Sequence, residues 1–376
     1  MDKFFLRELK NCNNEKELES IGFDSSYRFR ATEKMNNRLI KIYSLTPAQA
    51  NILKQTALSI GADCMTHREV ITGKEELSNA IITANTAELK KIAQKLSHQP
   101  LGLKKLAEQL LDYTEKPAIR KTKLVGILNI TPDSFSDGGE FLDVNNAKKH
   151  LMQLIEDGAN MIDIGAESTK PYSNEISPET QLSRLLPIID FIEKENIQLP
   201  FSIDTRSSVV ANEILKRGHY IINDVSGFEH DNKMIETIAK NHAKVVIQHS
   251  QGTPETMQKN PSYKELMEDI FINLYSKIKI AKEHGITDII IDPGIGFGKT
   301  KEHNLEIINR IEELYQFNLP IMIGTSRKSF LGITTDNNEL KDTMTLAINS
   351  RLIEKQVDYL RVHNVKLHRT FLNNIY

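Results

Sequence analysis

From Leu124 onward the chain alternates short apolar runs with longer amphipathic stretches through eight rounds, and no other feature restricts its fold as tightly. Such alternation implies parallel strands joined by crossover helices, because a parallel connection is too long to be a tight turn. The strand runs are 124–130, 161–166, 200–204, 220–224, 244–248, 288–292, 320–324 and 359–363. Between them the spacing predicts helices over 145–157, 178–193, 207–217, 262–284 and 342–354, several opened by capping signals such as Ser177 before Pro178. Residues 121–376 match the roughly 250 residues of a TIM (β/α)8 barrel better than an open doubly wound sheet, the alternative that period and length leave open.

The position of the unusual polar residues favours closure. Each strand run ends in one or is closely followed by one: Asn129, Glu167, Asp204, Asn223, Gln248 with His249, Asp292, Ser326 shortly before Lys328, and Arg361 with His363. In a barrel these converge on one rim, the face where active sites of this architecture are built. Singly, Asp and Asn after strands serve as turn formers and helix caps. A polar or charged group closing every strand is more than capping requires.

Residues 1–115 read as a separate small α+β unit, with strands over 39–43 and 79–84, a helix over 47–60 capped by Thr46, and two helices ending near 111. It carries no catalytic spacing, and 112–121 with Pro117 is the expected linker to a second domain over 120–376. Lys plus Arg number 48 against 50 for Asp plus Glu. No basic field therefore exists to attract a nucleic acid or an anionic membrane, and any bound anion needs a local cluster. No apolar run is long enough to span a bilayer, and the acids near the start disagree with a signal peptide, so a cytoplasmic protein is expected. Cys12 and Cys64 form no Cys-x-x-Cys pair and neighbour no His cluster, which argues against metal or redox use.

Two familiar motifs fail on spacing. Gly294-Ile-Gly-Phe-Gly-Lys299-Thr300 looks like a P-loop, but Pro293 stands where the first Gly is needed, and Lys299 stands where a Rossmann fingerprint needs its third. His249 with Ser250 lacks the Gly-x-Ser-x-Gly elbow of a hydrolase. The rim residues are more specific. Asp204 and Asp292 can each accept two parallel hydrogen bonds, and Asn223 offers a donor and an acceptor, a set suited to a flat heterocycle with an amino-amide edge. Lys328, Arg361 and His363 follow the last two strands, where such barrels often hold phosphate. The structural alternatives are ion pairs of Asp204 and Asp292 with Arg206 or Lys299, solvated charges at Lys328 and Arg361, and a hydrogen-bonded rim histidine at His363.

The stretch Gly126-Ile-Leu-Asn-Ile-Thr-Pro-Asp-Ser-Phe-Ser-Asp-Gly-Gly139 resembles the first signature of the dihydropteroate synthase family. Further matches follow in the family's order: Glu167-Ser-Thr-Lys-Pro171, Ser202-Ile-Asp-Thr205, Ile222-Asn-Asp-Val225, Gln251-Gly-Thr-Pro254, Asp292-Pro-Gly-Ile-Gly-Phe-Gly-Lys299, Ser326-Arg-Lys-Ser-Phe-Leu-Gly332 and Arg361-Val-His363. The resemblance covers about residues 121–376, and the N-terminal unit looks like an extension carried by some bacterial members. It implies condensation of (7,8-dihydropterin-6-yl)methyl diphosphate with 4-aminobenzoate to dihydropteroate, with release of diphosphate, in a magnesium-dependent step of folate synthesis by a homodimer.

Carried over by motif, Asp204, Asn223, Asp292 and Lys328 are implied to hold the pterin. Thr169, Arg361 and His363 are implied to contact the diphosphate-bearing substrate, and Asn129 the magnesium. Phe135 and Asp137 fall on a first mobile loop and Thr169, Lys170 and Pro171 on a second, with Ser329 near the aminobenzoate carboxylate. Arg361, His363 and the metal would meet the charge of the departing diphosphate, and Asp137 would favour a cationic methylene. The chain departs from the family at Lys170, where Arg is usual, at Ala166 and Tyr172, where small glycine-like residues are common, at Gln248 and Ser250 in place of Met, and at Asn364 in place of Asp. Lys cannot reproduce a planar bidentate fork. A pterin-dependent methyltransferase and a non-catalytic pterin-binding protein are the rival readings; the first uses a substrate without diphosphate, and the second would bind pterin without turnover.

Overall fold

The computed structural model describes residues 9, 13–115, 120–130, 140–167, 175–252, 257, 260–333, 335 and 337–375. The chain divides into two compact units, 1–118 and 119–376. The first runs α1 (Asn14–Ser20), α2 (Arg28–Met35), β1 (Asn37–Leu45), α3 (Pro47–Leu58), β2 (Asp63–Thr66), β3 (Ser78–Asn85), α4 (Thr86–Leu96) and α5 (Leu103–Asp112). Its three strands form an antiparallel sheet in the order β1-β3-β2. Thr46 with Gln49 and Asn85 with Glu88 make reciprocal capping boxes that start α3 and α4 at those residues. Ala80, Ile82 and Ala84 alternate along β3 onto one buried face, where they share a core with Leu53, Leu89 and Ile92. The helices α1 and α2 and the strand β2 were not expected from the sequence. Four residues, Asp63 to Thr66, are too few to display a period. Cys64 is buried and free, and burial pushes its thiol up to about 11, an unreactive value; Cys12 lies outside the described residues.

The second unit is an eightfold βα alternation: β4 (Lys123–Asn129), α6 (Glu140–Glu156), β5 (Met161–Gly165), α7 (Pro178–Lys194), β6 (Phe201–Asp204), α8 (Ser208–Leu215), β7 (Ile221–Asp224), α9 (Met234–Lys240), β8 (Val245–Gln248), α10 (Leu266–Glu283), β9 (Ile289–Asp292), α11 (Lys301–Arg310), β10 (Met322–Ile323), α12 (Asn338–Glu354), β11 (Tyr359–Val362) and α13 (Val365–Ile375). Every strand pairs in parallel with its neighbours, in the order β10-β11-β4-β5-β6-β7-β8-β9. A parallel bridge between Ile291 and Ile321 joins the two ends, so the sheet is a TIM barrel rather than an open layer.

Alternation along the strands sorts their side chains. Ile162, Ile164, Ile203, Ile222, Ile247 and Ile291 point outward into the core shared with the helices. On the inner face, Val125, Met161, Val246, Ile290 and Met322 form a separate apolar plug. The polar residues near the carboxyl ends of the strands follow this plug on the same inner face, so the active-site floor rests on a packed base. Gly126 lets α6 close down on β4, since a Cβ there would stand 3.2 Å from the Leu154 side chain. The helix expected from 262 begins at Leu266, where Glu265 caps its first turn. None of the described helices is long and apolar enough to cross a membrane.

Candidate active site at the carboxyl ends of the barrel strands

Register places the site residues before any side-chain detail does. Asn129 pairs with Gly165, Gly165 with Asp204, and Asp204 with Asn223, so four adjacent strands reach the rim at one level. Gln248 is level with Asp292 on the next pair. Gly165 stands in this row without a side chain; a Cβ there would meet Asn129 Oδ1 at 3.4 Å and Asp204 Cβ at 3.5 Å, ordinary contact distances.

Asp204 is buried, and it pairs with neither of the partners that a structural ion pair would use. Arg206 instead donates to Glu167 at 2.9 Å, while Arg361 donates to Asp204 Oδ2 at 3.0 Å from across the barrel. The other oxygen of Asp204, Oδ1, is buried with no hydrogen-bond partner among the described residues. Burial, and then the nearby Asp163 carboxylate, push the Asp204 carboxyl up, with Arg361 opposing. Asp163 was not anticipated from the sequence, because it lies in the middle of β5 rather than at its end. It accepts from Ser202 Oγ at 2.6 Å and Arg361 Nε at 2.5 Å, and Asn223 Nδ2 lies 3.2 Å from its Oδ2. Its only prior signal was a charged residue inside an apolar run.

Asp292 is held from behind by Gly294 N–H at 2.7 Å, and burial pushes its carboxyl up. The Gly294-Ile-Gly-Phe-Gly298 loop is glycine-rich for steric reasons rather than to cradle phosphate. Gly294 has φ +70°, and a Cβ there would stand 1.8 Å from the His249 carbonyl oxygen. At Gly296 a Cβ would come within 3.1 Å of the Lys328 side chain, which bonds the Ile295 carbonyl and lies 4.7 Å over the Phe297 ring. Burial pushes Lys328 down to about 8, with Asp292 opposing. Lys299 does not pair with Asp292 either: its ammonium donates to His249 Nδ1 at 2.9 Å and to the Phe297 carbonyl at 3.0 Å.

His363 belongs to a corner built from the ends of β10 and β11. Ser326 Oγ accepts its backbone N–H at 3.2 Å and bonds its Nδ1 at 2.8 Å. Burial, and then the neighbouring Arg327 and Arg361, push His363 down to about 3, which favours the neutral imidazole. Arg327 sits at φ +57°, and Asp342 of α12 grips its guanidinium at 2.7 and 2.8 Å. Asn364 donates to the same carboxylate at 3.2 Å and accepts from Leu367 N–H at 3.0 Å, so Asp342 supplies a carboxylate to the corner where Asn364 replaces one. Ser329 is exposed at the start of a one-turn 3-10 helix, Ser329–Leu331. Phe135, Asp137, Thr169, Lys170, Pro171 and Tyr172 lie outside the described residues.

The family described as pterin binding enzyme matches residues 125–363, which contain every rim residue named above. The chain belongs to the dihydropteroate synthase family. A dihydropteroate synthase from Clostridium beijerinckii is 42% identical over 65% of this chain and 90% of its own length. A protein from Helicobacter pylori named bifunctional dihydropteroate synthase/dihydropteroate reductase is 33% identical over 93% of both chains, so it matches the N-terminal unit as well as the synthase barrel. The crystal structure of a dihydropteroate synthase from Anaplasma phagocytophilum, with bound 6-hydroxymethylpterin-monophosphate, superposes with a TM-score of 0.62 at 38% identity, over 68% of this chain and all of that one. In this dihydropteroate synthase barrel, then, Asp204, Asn223, Asp292, Lys328 and Arg361 line one interior, while the described part of the second loop ends at Glu167.

Proposed function

We infer that this transferase condenses (7,8-dihydropterin-6-yl)methyl diphosphate with 4-aminobenzoate to form 7,8-dihydropteroate and diphosphate. The observation that carries the reading is the unpaired, buried Oδ1 of Asp204, on a strand paired level with Asn223, and facing Lys328, which in turn faces Asp292. A buried acceptor without a donor is costly, and the amino-amide edge of a pterin supplies donors of the right kind. Asp204 and Asp292 would accept from that edge, Asn223 would add an acceptor, and Lys328 would donate to a ring acceptor.

In the reaction the bond between methylene carbon and diphosphate oxygen breaks, its electron pair leaving with diphosphate. The amine of 4-aminobenzoate then bonds to the methylene carbon and loses a proton. The pterin carries positive charge as the leaving group departs, and the carboxylates of Asp204 and Asp292 would lower the energy of that cation. Arg361 and His363, at the end of β11, would hold the diphosphate side, with Thr169; Asp137, on the first loop with Phe135, would favour the cationic methylene, and Ser329 would lie near the aminobenzoate carboxylate, with Lys170 and Pro171 on the second loop.

Magnesium fits this proposal through Asn129. Asn129 ends β4 at the rim, level with Gly165, and offers a single neutral oxygen, Oδ1. Such a site suits an ion that keeps its waters and takes most of its ligands from substrate phosphate oxygens. When bound there, the ion would supply positive charge to the leaving diphosphate.

Incubation of the purified protein with pterin diphosphate, magnesium and 4-aminobenzoate tests the reading by assay of dihydropteroate and diphosphate. Tight pterin binding without product would instead support a non-catalytic binding protein; a methyltransferase would turn over a methylated pterin and leave the diphosphate substrate intact. The full-length match to a relative named as a reductase favours a second reading, in which the chain also reduces dihydropteroate. Product reduction with a nicotinamide hydride donor, compared with the same assay on residues 119–376 alone, tests it; equal rates would remove the N-terminal unit from that reaction. A homodimer is part of the same proposal, supported by the family resemblance and checked by sedimentation equilibrium.

A further inference from the structure

Asp163 occupies the inside of β5, fully buried, and three donors from three other strands meet on it. Ser202 of β6 donates from Oγ at 2.6 Å, Asn223 of β7 from Nδ2 at 3.3 and 3.2 Å to the two oxygens, and Arg361 of β11 from Nε at 2.5 Å. A carboxylate held this way is a fixed reference point for whatever it binds. The consequence for Asn223 is orientation: with Nδ2 held by Asp163, Oδ1 is the end of the carboxamide left for a ligand. For Arg361 the consequence is direction. With Nε on Asp163, its terminal nitrogen reaches Asp204 Oδ2 at 3.0 Å and leaves Asp204 Oδ1 unpaired.

We propose that Asp163 is a positioning residue for pterin recognition: by gripping Asn223 and Arg361 from below, it presents the acceptor of Asn223 and one oxygen of Asp204 to the ligand's donor edge. This deepens the condensation reading and rests on it for the identity of the ligand. Asp163 touches no substrate atom in this scheme. Its influence passes through Asn223, Arg361 and Asp204.

The same arrangement makes the role separable from a merely structural one. Asp204 is faced by Asp163 from β5, by Arg361 from β11, by Lys328 from the turn after β10, and by Glu167 and Arg206 from the segments after β5 and β6. Asp163 and Glu167 raise its carboxyl and Arg361 and Arg206 lower it, after burial has raised it most. Removing the Asp163 charge takes away one raising influence and leaves Arg361 freer to act on Asp204, so both effects lower it. The acid limb of kcat/KM, which reports ionisation of the free enzyme, then moves to lower pH.

The test uses the full chain with Asp163→Asn, which keeps the shape and removes the charge. The expected result is a KM for pterin diphosphate raised about tenfold, a KM for 4-aminobenzoate changed by less than about twofold, and an acid limb displaced downward by about one pH unit. An unchanged pterin KM overturns the proposal, as does a fall in kcat with the acid limb at its wild-type position. If Asp163→Asn does not fold, Ser202→Ala removes one donor and keeps the charge. It is then expected to raise the pterin KM about twofold to threefold without moving the acid limb, and no change in KM overturns the proposal. Calorimetry with 6-hydroxymethyl-7,8-dihydropterin separates the two readings. If wild-type protein binds this probe but forms no dihydropteroate, condensation fails while the weaker binding expected of Asp163→Asn still decides the role of Asp163.

Discussion

At the scale of single residues, the site is a set of polar groups whose partners are chosen by geometry rather than by charge alone. Asp204 shows this best, with one oxygen satisfied by Arg361 and the other left open. Asp204→Ala removes the open acceptor and strands donors on the pterin; the expected loss of pterin affinity is on the order of 1 to 3 kcal/mol, read by isothermal calorimetry. Lys328 yields a pH dependence. Burial holds its ammonium down to about 8, so the charged form is present below that pH and is lost as pH rises through it. The kcat/KM for pterin diphosphate should therefore fall above about pH 8, and Lys328→Arg, which cannot deprotonate there, should flatten that limb. A basic limb that persists in the arginine variant would assign the titration to another group.

At the scale of elements, two loops hold the site rigid by opposite means. The turn after β9 uses glycine: Gly294→Ala must place a Cβ where the His249 carbonyl stands, in a left-handed conformation. The expected cost exceeds about 1 kcal/mol, visible as a lower Tm. The turn after β10 uses a clamp, in which Asp342 holds Arg327 in a left-handed backbone conformation just before Lys328. Asp342→Ala should lower kcat/KM about tenfold through displacement of Lys328 and His363, with the far-ultraviolet circular dichroism preserved. Full activity in this variant would show that the turn needs no clamp. Spacing had already excluded a phosphate loop in the Gly-rich turn, and the positions of neighbouring atoms supply the reason for its glycines: a crowded backbone crossing demands glycine as an anion cradle does.

At the scale of the whole molecule, the two units have different requirements. The Clostridium beijerinckii synthase aligns over 90% of its length with about two thirds of this chain, as expected if the barrel region is sufficient for condensation. Residues 119–376, expressed alone, should retain condensing activity within severalfold of the full chain, measured as diphosphate release. Loss of all activity with the barrel still folded would give the N-terminal unit a part in the chemistry. Eight apolar runs, their polar closing residues and the family signatures were legible because each is written in a few consecutive positions: periodicity marks strands and helices, and parallel strands in register carry their last residues to one rim. What only the tertiary structure decided are partnerships across the barrel. Asp163 and Arg361 stand 198 positions apart yet share a hydrogen bond, Arg206 turns to Glu167 rather than Asp204, burial pushes the His363 imidazole down, and Ile291 meets Ile321 to close the ring. Local pattern records which face a residue takes, but burial and distance, which set charge and partner, exist only once the strands have closed around one another.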